Sequence, residues 1–81
     1  MKVRIKRKEV HWEDNKQDRV MNLTLVSYEA GLVMEAKVYL EDGTVYMNLS
    51  GNLTPSVVPF LQQAGSLIEE HLAFERKSQK R

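Results

Sequence analysis

Apolar and polar residues alternate along most of the first fifty positions, and a period of two marks half-buried strands. Val3 and Ile5 alternate with Lys2, Arg4 and Lys6. The next apolar residues, Val10 and Trp12, are out of phase with them, so either a bulge falls between Arg7 and Glu9 or the strand ends and restarts. From Glu13 to Asp18 the chain is wholly polar and reads as a loop. Three further alternating runs follow. Met21, Leu23 and Leu25 share one face, then Leu32, Met34, Ala36, Val38 and Leu40, then Val45, Met47 and Leu49.

Turn chemistry suggests how these runs pair. A tight turn over Tyr28-Glu29-Ala30-Gly31 sets Leu25 opposite Met34, Leu23 opposite Ala36 and Met21 opposite Val38. Asp42-Gly43 suits a two-residue type I′ hairpin, which would pair Leu40 with Val45, Val38 with Met47 and Ala36 with Leu49. Both registers keep apolar residues on one face.

Gly51-Asn52-Leu53-Thr54-Pro55 breaks the last strand, and the period then changes. Val57, Phe60, Leu61, Ala64, Leu67, Ile68, His71, Leu72 and Phe74 recur at three- and four-residue spacing, the stripe of an amphipathic helix. Ser56 as N-cap places Pro59 in the first turn, where its missing N–H is tolerated. The expected fold is therefore α+β: a four-stranded antiparallel meander with one face under a C-terminal helix. Residues 1–76 form one domain, and the basic residues from 77 to 81 form a tail expected to fray.

With 42% hydrophobic and 28% charged residues, the chain has an ordinary globular composition. Its apolar runs are far shorter than the ~20 residues that cross a bilayer, and no apolar stretch follows the basic N-terminus as in a secretory signal. A cytoplasmic protein is expected. The chain has no cysteine, hence no disulfide to staple a small core and no thiol nucleophile. The Asn-Leu-Ser and Asn-Leu-Thr triplets carry no meaning without secretion.

The net charge of +1 hides an asymmetry. Nine of the twelve basic residues sit at the two ends. All eleven acidic residues lie between Glu9 and Glu75, opposed there by Lys16, Arg19 and Lys37 alone. In a regular strand, Lys2, Arg4, Lys6 and Lys8 would form a linear ridge, with Arg7 nearby. Such a ridge suits a phosphate backbone, and it equally suits an edge strand that must refuse further pairing. Arg76 and Lys77 complement the helix dipole.

Little points to catalysis. No phosphate loop, dinucleotide fingerprint, nucleophile elbow or zinc motif is present, so no enzyme and no cofactor are expected. Glu9, His11 and Glu13 alternate on one strand face and could hold a divalent metal, although a solvated face has the same pattern. His71 is expected to pack at the edge of the helix stripe. Trp12 is expected to close one end of the core, with an exposed binding anchor as the alternative.

The sheet face turned from the helix should display Val20, Asn22, Thr24, Val26 and Tyr28, then Val33, Glu35, Lys37 and Tyr39, then Thr44, Tyr46, Asn48 and Ser50. The expected register sets Tyr39 directly opposite Tyr46 and Lys37 opposite Asn48. Paired exposed tyrosines can stack bases or anchor a protein, and they also stabilise sheets.

Two functions compete. In the first, a nucleic-acid-binding module grips phosphates with Lys2, Arg4, Lys6, Arg7 and Lys37 and stacks bases on Tyr28, Tyr39 and Tyr46. In the second, a protein-interaction module works as an adaptor, or as a small inhibitor of the kind phages and mobile elements encode. That module would bind a partner or a second copy of itself through the open sheet face.

Overall fold

A computed structural model describes residues 1–79. The order is β1 (Arg4–Glu13), β2 (Asp18–Ser27), β3 (Leu32–Tyr39), β4 (Val45–Ser50) and α1 (Val57–Gln79). The strands form one antiparallel sheet in the order β1-β2-β3-β4. This is the expected four-strand meander followed by one helix.

The β2–β3 pairing follows the turn chemistry. Leu25 faces Met34, Leu23 faces Ala36 and Met21 faces Val38. Gly31 takes a φ of 66° at the end of the turn, and Ala30 donates its N–H to Ser27 Oγ at 3.2 Å.

The β3–β4 hairpin differs from expectation by two residues. Val38 faces Val45, Ala36 faces Met47 and Met34 faces Leu49. A type I′ turn needs positive φ at both central residues, and of Asp42 and Gly43 only Gly43 has it, at 83°. The loop is wider because β3 is held past its last paired residue. Leu40 donates its N–H to Arg19 O at 2.9 Å, and the buried Asp18 carboxylate accepts the N–H groups of Glu41 and Asp42. Gly43 then closes the loop by donating to Tyr39 O at 2.7 Å. A shift of two leaves every side chain on its face, so the apolar pattern could not detect it.

The irregularity in β1 lies between Ile5 and Arg7, not between Arg7 and Glu9. Ile5 pairs with Leu25, Arg7 with Thr24, and Lys6 is the extra residue. Beyond it the faces exchange, so Lys8, Val10 and Trp12 turn toward the helix side, while Arg7, Glu9 and His11 join Arg4 on the other.

α1 begins as its sequence implies, with Phe60 donating to Ser56 O at 3.0 Å and Pro59 in the first turn. It continues through Lys77 and Ser78 to Gln79. Lys80 and Arg81, the end of the expected tail, lie outside the described residues. Phe60, Ala64 and Ile68 enter a core built on Val3, Met21, Leu23, Leu25, Leu32, Met34, Ala36, Val38 and Leu40.

Four strands ~4.8 Å apart span about 19 Å. A helix is ~10–12 Å across with its side chains, so it covers about two of them. Here α1 sits over β2 and β3. On the inner face of β4, Leu49 packs against the edge of the core while Val45 and Met47 are left bare. Val45 and Met47 remain 42% and 56% exposed. Leu61 and Phe74, expected in the core stripe, are also exposed.

Candidate functional site

Three surfaces bring polar or apolar side chains together. The first is the corner of the sheet where the tyrosine platform was expected. Tyr39 is only 4% exposed. Its hydroxyl donates to Glu13 Oε1 at 2.8 Å, and the ammonium groups of Lys16 and Lys37 lie 5.3 and 5.4 Å from its ring centroid. Tyr46, 55% exposed, meets Tyr39 edge-on at 6.3 Å. The two are diagonal neighbours, because the register places Lys37 opposite Tyr46 and Glu35 opposite Asn48. Tyr39 is thus a packed, capped residue and offers no face for stacking.

The same corner takes up Lys37. Its Nζ lies 3.4 Å from Glu13 Oε2. The Tyr39 hydroxyl hydrogen bond holds the Glu13 carboxyl below its usual range, with the Lys37 charge adding to it. Lys37 is raised, first by its contact with the Tyr39 hydroxyl and then by Glu13. His11 Nε2 is 3.9 Å from Glu13 Oε2, and among the described residues no three His, Asp or Glu side chains are grouped to hold a metal ion.

Val20 and Val26, expected as exposed apolar residues of this face, are buried. The register flanks Val20 with His11 and Tyr39, and Val26 with Arg4 and Val33. What the face offers instead is a depression of about 500 Å³. Its lining mixes Arg7 and Lys37 with Glu9 and Glu35, beside Asn22, Thr24 and Asn48.

The second surface is the basic end of β1, and the bulge divides the expected ridge. Lys8 leaves it for the helix side, where its Nζ lies 2.8 Å from Glu75 Oε2, 3.1 Å from His71 Nδ1 and 5.0 Å from the Phe74 ring centroid. His71 is thus half-buried at the stripe's edge, with Lys8 as its partner. Arg19 joins Glu75 from β2, donating to its backbone oxygen at 3.1 Å. Arg4, Lys6 and Arg7 stay exposed, and among the described residues no ion pair engages them. The Arg4 guanidinium lies 5.6 Å from the ring centroid of the exposed Tyr28. Nearby, the Lys2 N–H donates to Glu29 Oε1 at 3.1 Å.

The third surface is a trough of about 500 Å³ between β4 and α1. Val38, Val45 and Met47 floor it, and Leu61, Gly65, Ile68 and Leu72 wall it. Gln62, Ser66 and Glu69 line its rim, and among the described residues Glu69 is its one charged lining residue. The periodicity marked Val45, Met47 and Leu61 as apolar but placed them in the core. The missing signal was arithmetic: one helix cannot roof four strands. Trp12, expected in the core, is 55% exposed and donates its indole N–H to Asp14 Oδ1 at 2.8 Å.

No family model, curated protein or solved structure matches the chain. Among the described residues no helix is long and apolar enough to cross a membrane.

Proposed function

We propose that this chain is a non-catalytic protein-interaction module that holds its partner in the trough between β4 and α1. One observation carries the reading: Val45 and Met47, on the core side of the sheet, are left uncovered beside the apolar flank of α1. An apolar recess left uncovered on the core side of a sheet is a surface that a protein partner can bury. Completing the burial of the two side chains would contribute ~1 kcal/mol each. Affinity capture with the wild type, Met47→Lys and Arg4→Glu tests it. The reading expects partners lost with Met47→Lys and kept with Arg4→Glu, and the reverse pattern would refute it.

A second reading keeps one specific observation. Arg4 stacked on the exposed Tyr28, with Lys6 and Arg7 beside it, is a small cationic-aromatic patch of the kind that holds a phosphate chain. It is smaller than the sequence implied. Lys8 and Lys37 are neutralised by Glu75 and Glu13, and Tyr39 is capped.

A further inference from the structure

We infer that the occupant of the trough is a second copy of this chain, each copy laying its β4 into the step between β4 and α1 of the other; this rests on the trough being the binding surface. The argument begins with the two edges of the sheet. β1 is guarded as the edge of a solitary sheet should be, by Lys2, Arg4, Lys6 and Arg7 and by a bulge. β4, Val45-Tyr46-Met47-Asn48-Leu49-Ser50, has no charge, no proline and no bulge. An uncharged strand can approach its own copy without like-charge repulsion.

The profile of the molecule is self-complementary. In cross-section the sheet is a floor, α1 a riser, and β4 a ledge one strand wide. A helix layer is ~10 Å thick, and facing sheets pack ~10 Å apart. Rotating one copy by half a turn about an axis along β4 therefore fits each ledge into the other's step. Val45 and Met47 then face their counterparts across the axis. The edge of each β4 lies against Leu61, Gly65 and Leu72 of the other copy. Gly65 has no neighbouring atom within 4 Å of where a Cβ would stand, which leaves room for a backbone to come close. Gln62 and Ser66 on the rim offer side-chain partners to the unpaired N–H and C=O groups of the β4 edge.

The contact is small. Six strand residues run about 20 Å, so the area falls below the ~800 Å² per partner of a standard interface. A weak, micromolar-range dimer is expected.

Sedimentation equilibrium of the full chain from micromolar to millimolar concentration tests this. The expected result is a monomer–dimer equilibrium, weakened at least about tenfold by Met47→Lys and unchanged by Arg4→Glu. Circular dichroism should show Met47→Lys still folded, because that side chain is already exposed. A wild type that stays monomeric to millimolar concentration overturns the second copy as occupant. If Met47→Lys then still loses a captured protein, the trough reading survives that failure. A dimer indifferent to Met47→Lys forms through another face and overturns the second copy as occupant, while the trough reading itself stands or falls with the capture experiment. The absence of cysteine allows a geometric check with Val45→Cys and Met47→Cys. Facing Cα atoms ~10 Å apart are too far for a disulfide but within reach of a short bismaleimide. Both variants should cross-link to covalent dimers. Edge-to-edge antiparallel pairing centred on Met47 would link only the second, and that result would overturn the ledge geometry.

Discussion

The Lys8 ammonium lies 2.8 Å from the Glu75 carboxylate, joining the first strand to the last turns of the helix. Both side chains are half-buried or better, and Arg19 reaches Glu75 from β2. Glu75→Gln should cost ~1–2 kcal/mol, between the values for exposed and buried pairs, and lower Tm by at least about 4 °C. Lys8→Met should cost less, since Glu75 keeps Arg19 and the new side chain still packs on Phe74. Thermal melts of the two variants decide the order, and equal losses would count against the shared role of Arg19.

The same contact shows what could be read from the sequence and what could not. Alternation gave four strands, the meander and the β2–β3 register, because the core-side residues of β2 and β3, from Met21 to Leu25 and from Leu32 to Val38, are all buried as a period of two demands. A bulge changes phase within a single residue, and nothing in Lys6-Arg7-Lys8 says which of three cations is the extra one. The position of the bulge sends Lys8 to Glu75 and dissolves the ridge. The β3–β4 loop was hidden for another reason: its width is set by Asp18, more than twenty residues away. The trough was legible only by comparing the width of one helix with that of four strands.

Asp18 is the clearest pH-sensitive element. Burial raises its pKa, but the N–H groups of Asp42, Glu41 and Arg19, with the Arg19 charge, outweigh burial and bring it below the usual 3.8. A carboxyl depressed in the folded state contributes stability above its unfolded value and loses it as pH falls through the folded one. Wild-type stability should therefore drop on acidification below about pH 3.8. Asp18→Asn should be less stable at neutral pH and flatter in that window. Urea midpoints from pH 2 to 7 would show it, and parallel curves would contradict the assignment.

Two glycines should respond oppositely to alanine. At Gly51, φ is 139°, and a Cβ would stand 2.7 Å from Gly31 O and 2.6 Å from Leu32 Cδ2. Gly51→Ala should cost ~1–3 kcal/mol, seen as a lower urea midpoint at unchanged m. Gly65 is helical and unhindered, so Gly65→Ala should stabilise the monomer by ~1 kcal/mol. It should also weaken the dimer, because the added methyl stands on the wall of the trough. A midpoint that fails to rise would remove the helical-propensity account of Gly65.

Oligonucleotide binding, measured by fluorescence anisotropy, should be confined to low salt. The exposed cations at this end, Lys2, Arg4, Lys6 and Arg7, are few, so they give a shallow salt dependence and little affinity at physiological ionic strength. Residual binding should fall with Arg4→Ala and Arg7→Ala and be unmoved by Lys8→Ala, since Lys8 faces Glu75. Tyr39→Phe should leave it unchanged while lowering Tm, because the hydroxyl is committed to Glu13.

The most direct measurement places a photo-cross-linking residue at position 47 or, in a separate variant, at position 28, in cells expressing the chain. Irradiation should give discrete protein adducts from position 47, a covalent dimer among them, and none from position 28. Nucleic-acid adducts from position 28 with none from position 47 would contradict the account and move the function to the Arg4–Tyr28 end of the sheet.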